Sequence, residues 1–179
     1  MSTAEKTHDP RRRLRTLWAN PQIRYPILMI AYLAVGGSLY SLGFSRFPEA
    51  APELGQITAL IVHKFIGLFT DLTTHRDATV TLSGFPVLII VECVGVLEMV
   101  IYSACVLAFP APLRAKLWGV PLGCAAIFGF NVLRITTLLV VGRYQNDYFD
   151  FFHVYFWQAT LIAMIVSVLY AWIKLFVHR

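Results

Sequence analysis

Two stretches of this chain, Tyr25–Ser45 and Phe151–Ile173, contain no Asp, Glu, Lys or Arg. A helix that crosses a bilayer needs about 20 such residues, and a soluble fold this small has no interior that hides two of them. Composition extends the constraint: of 179 residues, 58% are apolar and only 14% charged, against about 25% charged in soluble domains. Intrinsic disorder, a collagen repeat and a disulfide-stapled secreted module are thereby excluded. The solvent this sequence calls for is lipid.

Two further spans are predicted, each interrupted by one charge. Cys93–Phe109 contains Glu98, and Trp118–Val141 contains Arg134. No span repeats another, so a transporter built by internal duplication is not indicated. Six of the fifteen Lys and Arg residues fall in the first 24 positions: Lys6, Arg11, Arg12, Arg13, Arg15 and Arg24. Beside a hydrophobic span, such a run reads as an anchor on anionic lipid rather than a nucleic-acid arm. It is not expected to be a cleavable signal peptide, because the apolar stretch after it is too long and more follow. Cys93, Cys105 and Cys124 cannot all pair and have no CxxC spacing, so neither a disulfide framework nor a thiolate metal site is expected.

Between the first two spans, Leu54–Leu72 sets Ile57, Ile61, Phe65, Leu68, Phe69 and Leu72 on one helical arc. Gln56, His63, Lys64, Thr70 and Asp71 lie opposite, a pattern of a helix lying in the interface. Thr79–Leu82 and Val87–Val91, flanking Ser83-Gly84-Phe85-Pro86, read as a short hairpin. The competing reading makes Pro86–Phe109 one long helix. If Leu54–Leu72 does not cross, the basic N-terminus, the Arg114/Lys116 loop and the Lys174/His178/Arg179 tail share one side. Glu49, Glu53, Asp71, Asp77, Asp147 and Asp150 then share the other. The positive-inside rule selects that arrangement.

The sequence thus predicts an all-α polytopic membrane protein with four spans, at about 25–45, 93–109, 118–141 and 151–173. An outer cap over 46–92 carries the interfacial amphipathic helix and the hairpin-like segment. Residues 1–24 form a basic cytoplasmic segment, 25–179 a single membrane-embedded domain, and both termini are cytoplasmic.

An ionisable side chain inside a span costs about 3 kcal/mol or more and needs a reason. Arg134 sits eight residues before Gly142, about 12 Å below the outer end of its helix at 1.5 Å per residue. Asn131 lies one turn earlier on nearly the same face. The structural alternative for Arg134 is an ion pair with Glu98. Cys105 and Cys124 sit deep among apolar neighbours and read as inert packing residues. Cys93 differs, standing at a helix N-terminus where the dipole favours a thiolate, and at the water-facing level. His153 opens the last span at that same level. His8 and His178 belong to basic tails, and His63 and His75 read as polar-face residues of the cap.

Thiol, guanidinium and imidazole from three different helices therefore converge near the outer surface. A thiolate attacks a peptide carbonyl, and a cationic neighbour favours that thiolate. Histidine exchanges protons with the thiol and the leaving amine. Arginine stays charged, so its work is hydrogen-bond donation to the developing oxyanion or to the substrate backbone.

Glu92-Cys93-Val94-Gly95 after an extended apolar run, Asn131-Val132-Leu133-Arg134-Ile135 in the next span, and His153 opening the last one resemble the exosortase/archaeosortase family. The resemblance covers about Gly84–Trp157, and the short chain is most similar to the compact exosortase H type. It implies a membrane cysteine endopeptidase and transpeptidase of the prokaryotic inner membrane. Its substrates would be exported proteins with a C-terminal motif, one transmembrane helix and a basic cluster. Cys93 would be the nucleophile, Arg134 the oxyanion or substrate-orienting cation, and His153 the acid/base. Asn131 and Glu98 are candidate substrate contacts. A thioester acyl-enzyme would pass to an amine or lipid acceptor, or to water, with no cofactor, metal or nucleic acid involved. Val94 departs from the pattern, since many members carry Ser, Ala or Thr there. Two other classes remain open: a non-catalytic helical scaffold with Arg134 paired to Glu98, and a small transporter or redox subunit holding a polar ligand on His153 and Arg134. No second histidine lies at a depth matching His153, which speaks against haem.

Overall fold

The computed structural model describes residues 20–144 and 157–177. The first helix, α1 (Pro21–Arg46), begins where the Asn20 side chain accepts a hydrogen bond from Gln22 N at 3.0 Å. Pro21 takes the first helical position, where a missing N–H costs nothing. No residue of α1 is buried. Ile30, Val35, Leu39 and Leu42 are each more than half exposed, a continuous apolar surface suited to lipid.

The second helix, α2 (Ala50–Gly67), uses two faces. Gly55, Thr58, Ala59, Val62 and Ile66 are buried against the rest of the fold. The predicted apolar arc faces away: Ile57 and Ile61 are exposed, and Leu68 and Phe69 beyond the helix end are 77% and 78% exposed. The helix thus has an inner side of buried, mostly small residues and an outer side of exposed apolar ones.

A three-stranded antiparallel sheet follows, β1 (Thr73–Arg76), β2 (Thr79–Leu82) and β3 (Phe85–Leu88), in spatial order β1-β2-β3. The predicted hairpin is present, with a tighter turn than expected. Leu82 pairs with Phe85, leaving Ser83 and Gly84 as a two-residue loop with φ of 47° and 87°. Positive φ at both positions matches the twist of the flanking strands, and glycine takes it without strain. Pro86 lies on edge strand β3, where a missing donor is tolerated. Strand β1 adds a third member beyond the hairpin. Val80 and Leu82 point inward and are buried.

The predicted second span is broken. A single turn, α3 (Val91–Val94), is followed by Gly95 at φ 88°, ψ 21°, and only then by α4 (Val96–Ala108). At 13 residues, α4 reaches about 20 Å, against about 30 Å of hydrocarbon. The fifth helix, α5 (Leu113–Tyr144), has 32 residues and runs about 48 Å. The sixth, α6 (Trp157–Trp172), ends in a π-helical turn, Ile173–Val177. Three helices, Pro21–Arg46, Leu113–Tyr144 and Gln158–Val177, are long and apolar enough to cross a membrane, and Val96–Ala108 is a shorter apolar one. The chain is thus a mostly helical membrane protein with a small sheet.

Two cores hold it. One joins α2, the sheet and the C-terminal half of α5 through Ala59, Val62, Val80, Ile135 and Leu139. The other joins α4, α5 and α6 through Tyr102, Ile127, Met164 and Trp172. Tyr102 donates its hydroxyl to Gly119 O at 3.0 Å, and Trp172 Nε1 donates to Ala115 O at 2.9 Å. These bonds fix the middle of α4 and the end of α6 to the first turns of α5. Arg24, Arg114, Lys116 and Lys174 gather at that end. The described carboxylates, Glu49, Glu53, Asp71, Asp77, Glu92 and Glu98, stand on the cap and the cap-ward start of α4, mixed with Arg46, Lys64, Arg76 and Arg143.

Candidate active site

Cys93 is held by a short chain of backbone constraints. Ile89 N donates to Ala78 O at 2.8 Å, tying the end of β3 to the β1–β2 turn. Ile89 O sits so close to α2 that a Cβ at Gly55 would stand 2.7 Å from it. From there Ile90 is extended, and Cys93 N closes the α3 turn on Ile90 O at 2.9 Å. Cys93 is half-buried and packs against the apolar core that contains Val132 and Ile135 of α5. The helix that was to polarise its thiol is one turn long, so its dipole contributes little.

Gly95 makes the meeting with α5. A Cβ there would overlap the Asn131 carboxamide, and φ of 88° is a conformation that other residues adopt at a cost. Only glycine satisfies both demands. Cys93 stands two residues before this kink, and Asn131, a candidate substrate contact in the sequence, packs directly on it. Asn131 is fully buried and donates Nδ2 to Ile127 O at 3.1 Å. Its Oδ1 has no hydrogen-bond partner among the described residues. An acceptor left so in a core costs about 1–3 kcal/mol, and a bound N–H donor would satisfy it.

Arg134 stands one turn beyond Asn131. It borders a cleft of about 310 Å³ between α5 and α6, with Phe130, Leu133, Thr137, Thr160 and Met164 on its walls. Its Nε is shielded from solvent. Arg134 as a whole is half-exposed, and the described walls of its cleft are mostly apolar. Glu98 lies half-exposed in the first turn of α4, three residues past Gly95 and within electrostatic reach of Tyr40 on α1. His153 lies outside the described residues.

Two features of this region have little sequence signal. His63 Nδ1 lies 3.2 Å from Thr73 Oγ1, and the His63 ring stacks on His75 with centroids 4.8 Å apart. Strand β1 alone brings those residues together. The Gly95 kink hides inside an apolar run; an isolated glycine at the second position after a candidate cysteine is its one trace. Among the described residues, no group of three or more His, Cys, Asp or Glu is arranged to hold a metal ion. Comparison with protein families, with curated proteins and with solved structures gives no match to this chain.

Proposed function

We propose that this chain is a membrane-embedded cysteine endopeptidase and transpeptidase of the exosortase/archaeosortase kind, acting on C-terminal sorting signals of exported proteins. The observation that carries the reading is the Gly95 kink. It sets the Cys93 turn against the helix that carries both Asn131, whose buried oxygen has no partner among the described residues, and Arg134. In this reading Cys93 Sγ attacks the scissile carbonyl as a thiolate, its proton passing to His153. Arg134 donates to the carbonyl oxygen as negative charge develops. The C–N bond breaks, the leaving amine takes the proton from His153, and a thioester remains. An acceptor amine, a lipid amine or water then attacks the thioester and yields its proton to His153, and the sulfur departs as thiolate. Asn131 Oδ1 accepts from a substrate backbone N–H, and Glu98 is the second substrate contact.

The same proposal takes α4 with the α3 turn as a fourth, foreshortened span. It puts both termini in the cytoplasm of a prokaryotic cell and the cap outside its inner membrane. Support comes from the charge distribution: the end bearing Arg24, Arg114, Lys116 and Lys174 carries no carboxylate among the described residues, while the cap end is mixed. The packing of Cys93 against an apolar core favours a second reading, a scaffold in which that cysteine only fills space. Co-expression with signal-bearing proteins separates the two. The enzyme loses processing in Cys93→Ala, Arg134→Ala and His153→Ala while each variant still inserts, whereas equal uncleaved substrate in every strain, native included, removes the peptidase reading.

A further inference from the structure

At the end of the bundle remote from the cap, the first turns of α1, the end of α4 and the first turn of α5 enclose a cleft of about 420 Å³. Two cations border it, Arg24 from α1 and Lys116 from α5, together with Tyr25 and Tyr32, and among the described residues no carboxylate does. Lys116 Nζ donates to Leu107 O at 2.6 Å, which pins the ammonium on the cleft wall with two protons left to give. The wall is stiff. Tyr25 meets Phe109 edge-on at 6.0 Å, Phe109 meets Trp172 edge-on at 5.7 Å, and Trp172 is hydrogen-bonded to Ala115 O. Aromatic rings of this kind gather at the headgroup level of a bilayer.

The cleft does not stop at the cations. Tyr32 and Leu107 also border a second cavity of about 310 Å³ that runs along the α1–α4 seam. Its walls there are Val35, Gly36, Leu39, Met99 and Val100, with Gly36 narrow enough that a Cβ would stand 2.7 Å from Val100. A cationic, hydroxyl-bearing mouth thus opens into an apolar groove directed along the helices. That is the shape and polarity of one anionic phospholipid, phosphate at the mouth and acyl chain in the groove.

We propose that Arg24 and Lys116, with the α1–α4 seam, form a specific binding site for an anionic phospholipid. The site is independent of the cysteine chemistry, sharing no residue with it. A free phosphate would use the mouth alone, whereas the lipid uses mouth and groove, and the two are separable. The purified full-length protein in detergent is exposed to phosphatidylglycerol, to phosphatidylcholine of the same chains and to inorganic phosphate, with native mass spectrometry and thermal denaturation as readouts. Phosphatidylglycerol is expected to give a one-to-one adduct that survives activation and raises the melting temperature, with phosphatidylcholine and phosphate giving neither. The Arg24→Gln/Lys116→Gln double variant should weaken retention by about tenfold or more, two interfacial cations being lost. Arg114→Gln, an exposed cation of the same end that does not border the cleft, should retain the lipid as the native chain does. Equal retention of both lipids, equal protection by phosphate, or the same loss in Arg114→Gln as in the double variant would each overturn the site.

Discussion

Replacing Gly95 by alanine tests the kink that joins the Cys93 turn to α5. The alanine must hold φ near 88°, which costs about 1–2 kcal/mol for an L-residue. Its Cβ must also displace the buried Asn131 carboxamide, and forcing an extra carbon into a packed core costs about 1–3 kcal/mol. Gly95→Ala should therefore destabilise the protein by about 2–5 kcal/mol, read as a lower denaturation midpoint in detergent. The two contributions separate in a double-mutant cycle with Asn131→Ala, which empties the space the Cβ needs and leaves only the backbone term. In that background Gly95→Ala should cost about 1–2 kcal/mol. An equal cost of Gly95→Ala in both backgrounds, or none in either, would show that Gly95 and Asn131 are not in contact as described.

Other outcomes follow from the same structure. Cys93→Ala should abolish processing of a signal-bearing protein without lowering the denaturation midpoint beyond about 1 kcal/mol, because a small apolar side chain replaces a half-buried thiol; immunoblotting of the substrate reads the first and thermal denaturation the second. Tyr102→Phe removes the hydroxyl bond to Gly119 O in the α4–α5 seam and should cost about 0.5–1.5 kcal/mol, measured the same way. Phe69→Trp, at the exposed apolar edge beyond α2, should show blue-shifted fluorescence and quenching by brominated lipid in vesicles; emission at the wavelength of a water-exposed indole would place that edge in solvent.

Much of this architecture was legible because lipid imposes a strong, simple pattern. Uncharged runs marked α1, and Trp118–Val141 fell inside Leu113–Tyr144, since neither Arg134 nor the helix ends disturb a long apolar average. The amphipathic arc over Leu54–Leu72 is helical only as far as Gly67, and its packed side has little signal. Gly55, Thr58 and Ala59 carry almost no hydrophobic signal, yet small residues are what let α2 lie close to Ile89. Strand β1 was missed because Thr73–Arg76 is polar with one buried residue, so its place depends on β2 and not on its own alternation. The hairpin turn came out shorter because Ser83-Gly84 alone supplies the two positive φ values, which frees Phe85 and Pro86 to pair. Of the candidate residues, Arg134 could be picked out by its cost in a membrane and Cys93 by its place at the start of an apolar helix, whereas the close approach of Gly95 to Asn131 depends on a kink that periodicity averages away.

The short reach of α4 has a consequence for the bilayer itself. Taken as the fourth span of the proposed topology, α4 is about 10 Å shorter than the hydrocarbon, and such a mismatch costs a fraction of a kcal/mol for every ångström. In that topology the cap would fill the shortfall, since α2 and the sheet pack on Val132, Ile135 and Leu139 of α5. Lipid tails would then end against folded protein instead of bare backbone, in a leaflet thinned beside Cys93. A peptide tethered by its own helix would meet the thiol by sliding sideways in a thinned leaflet, without leaving the bilayer.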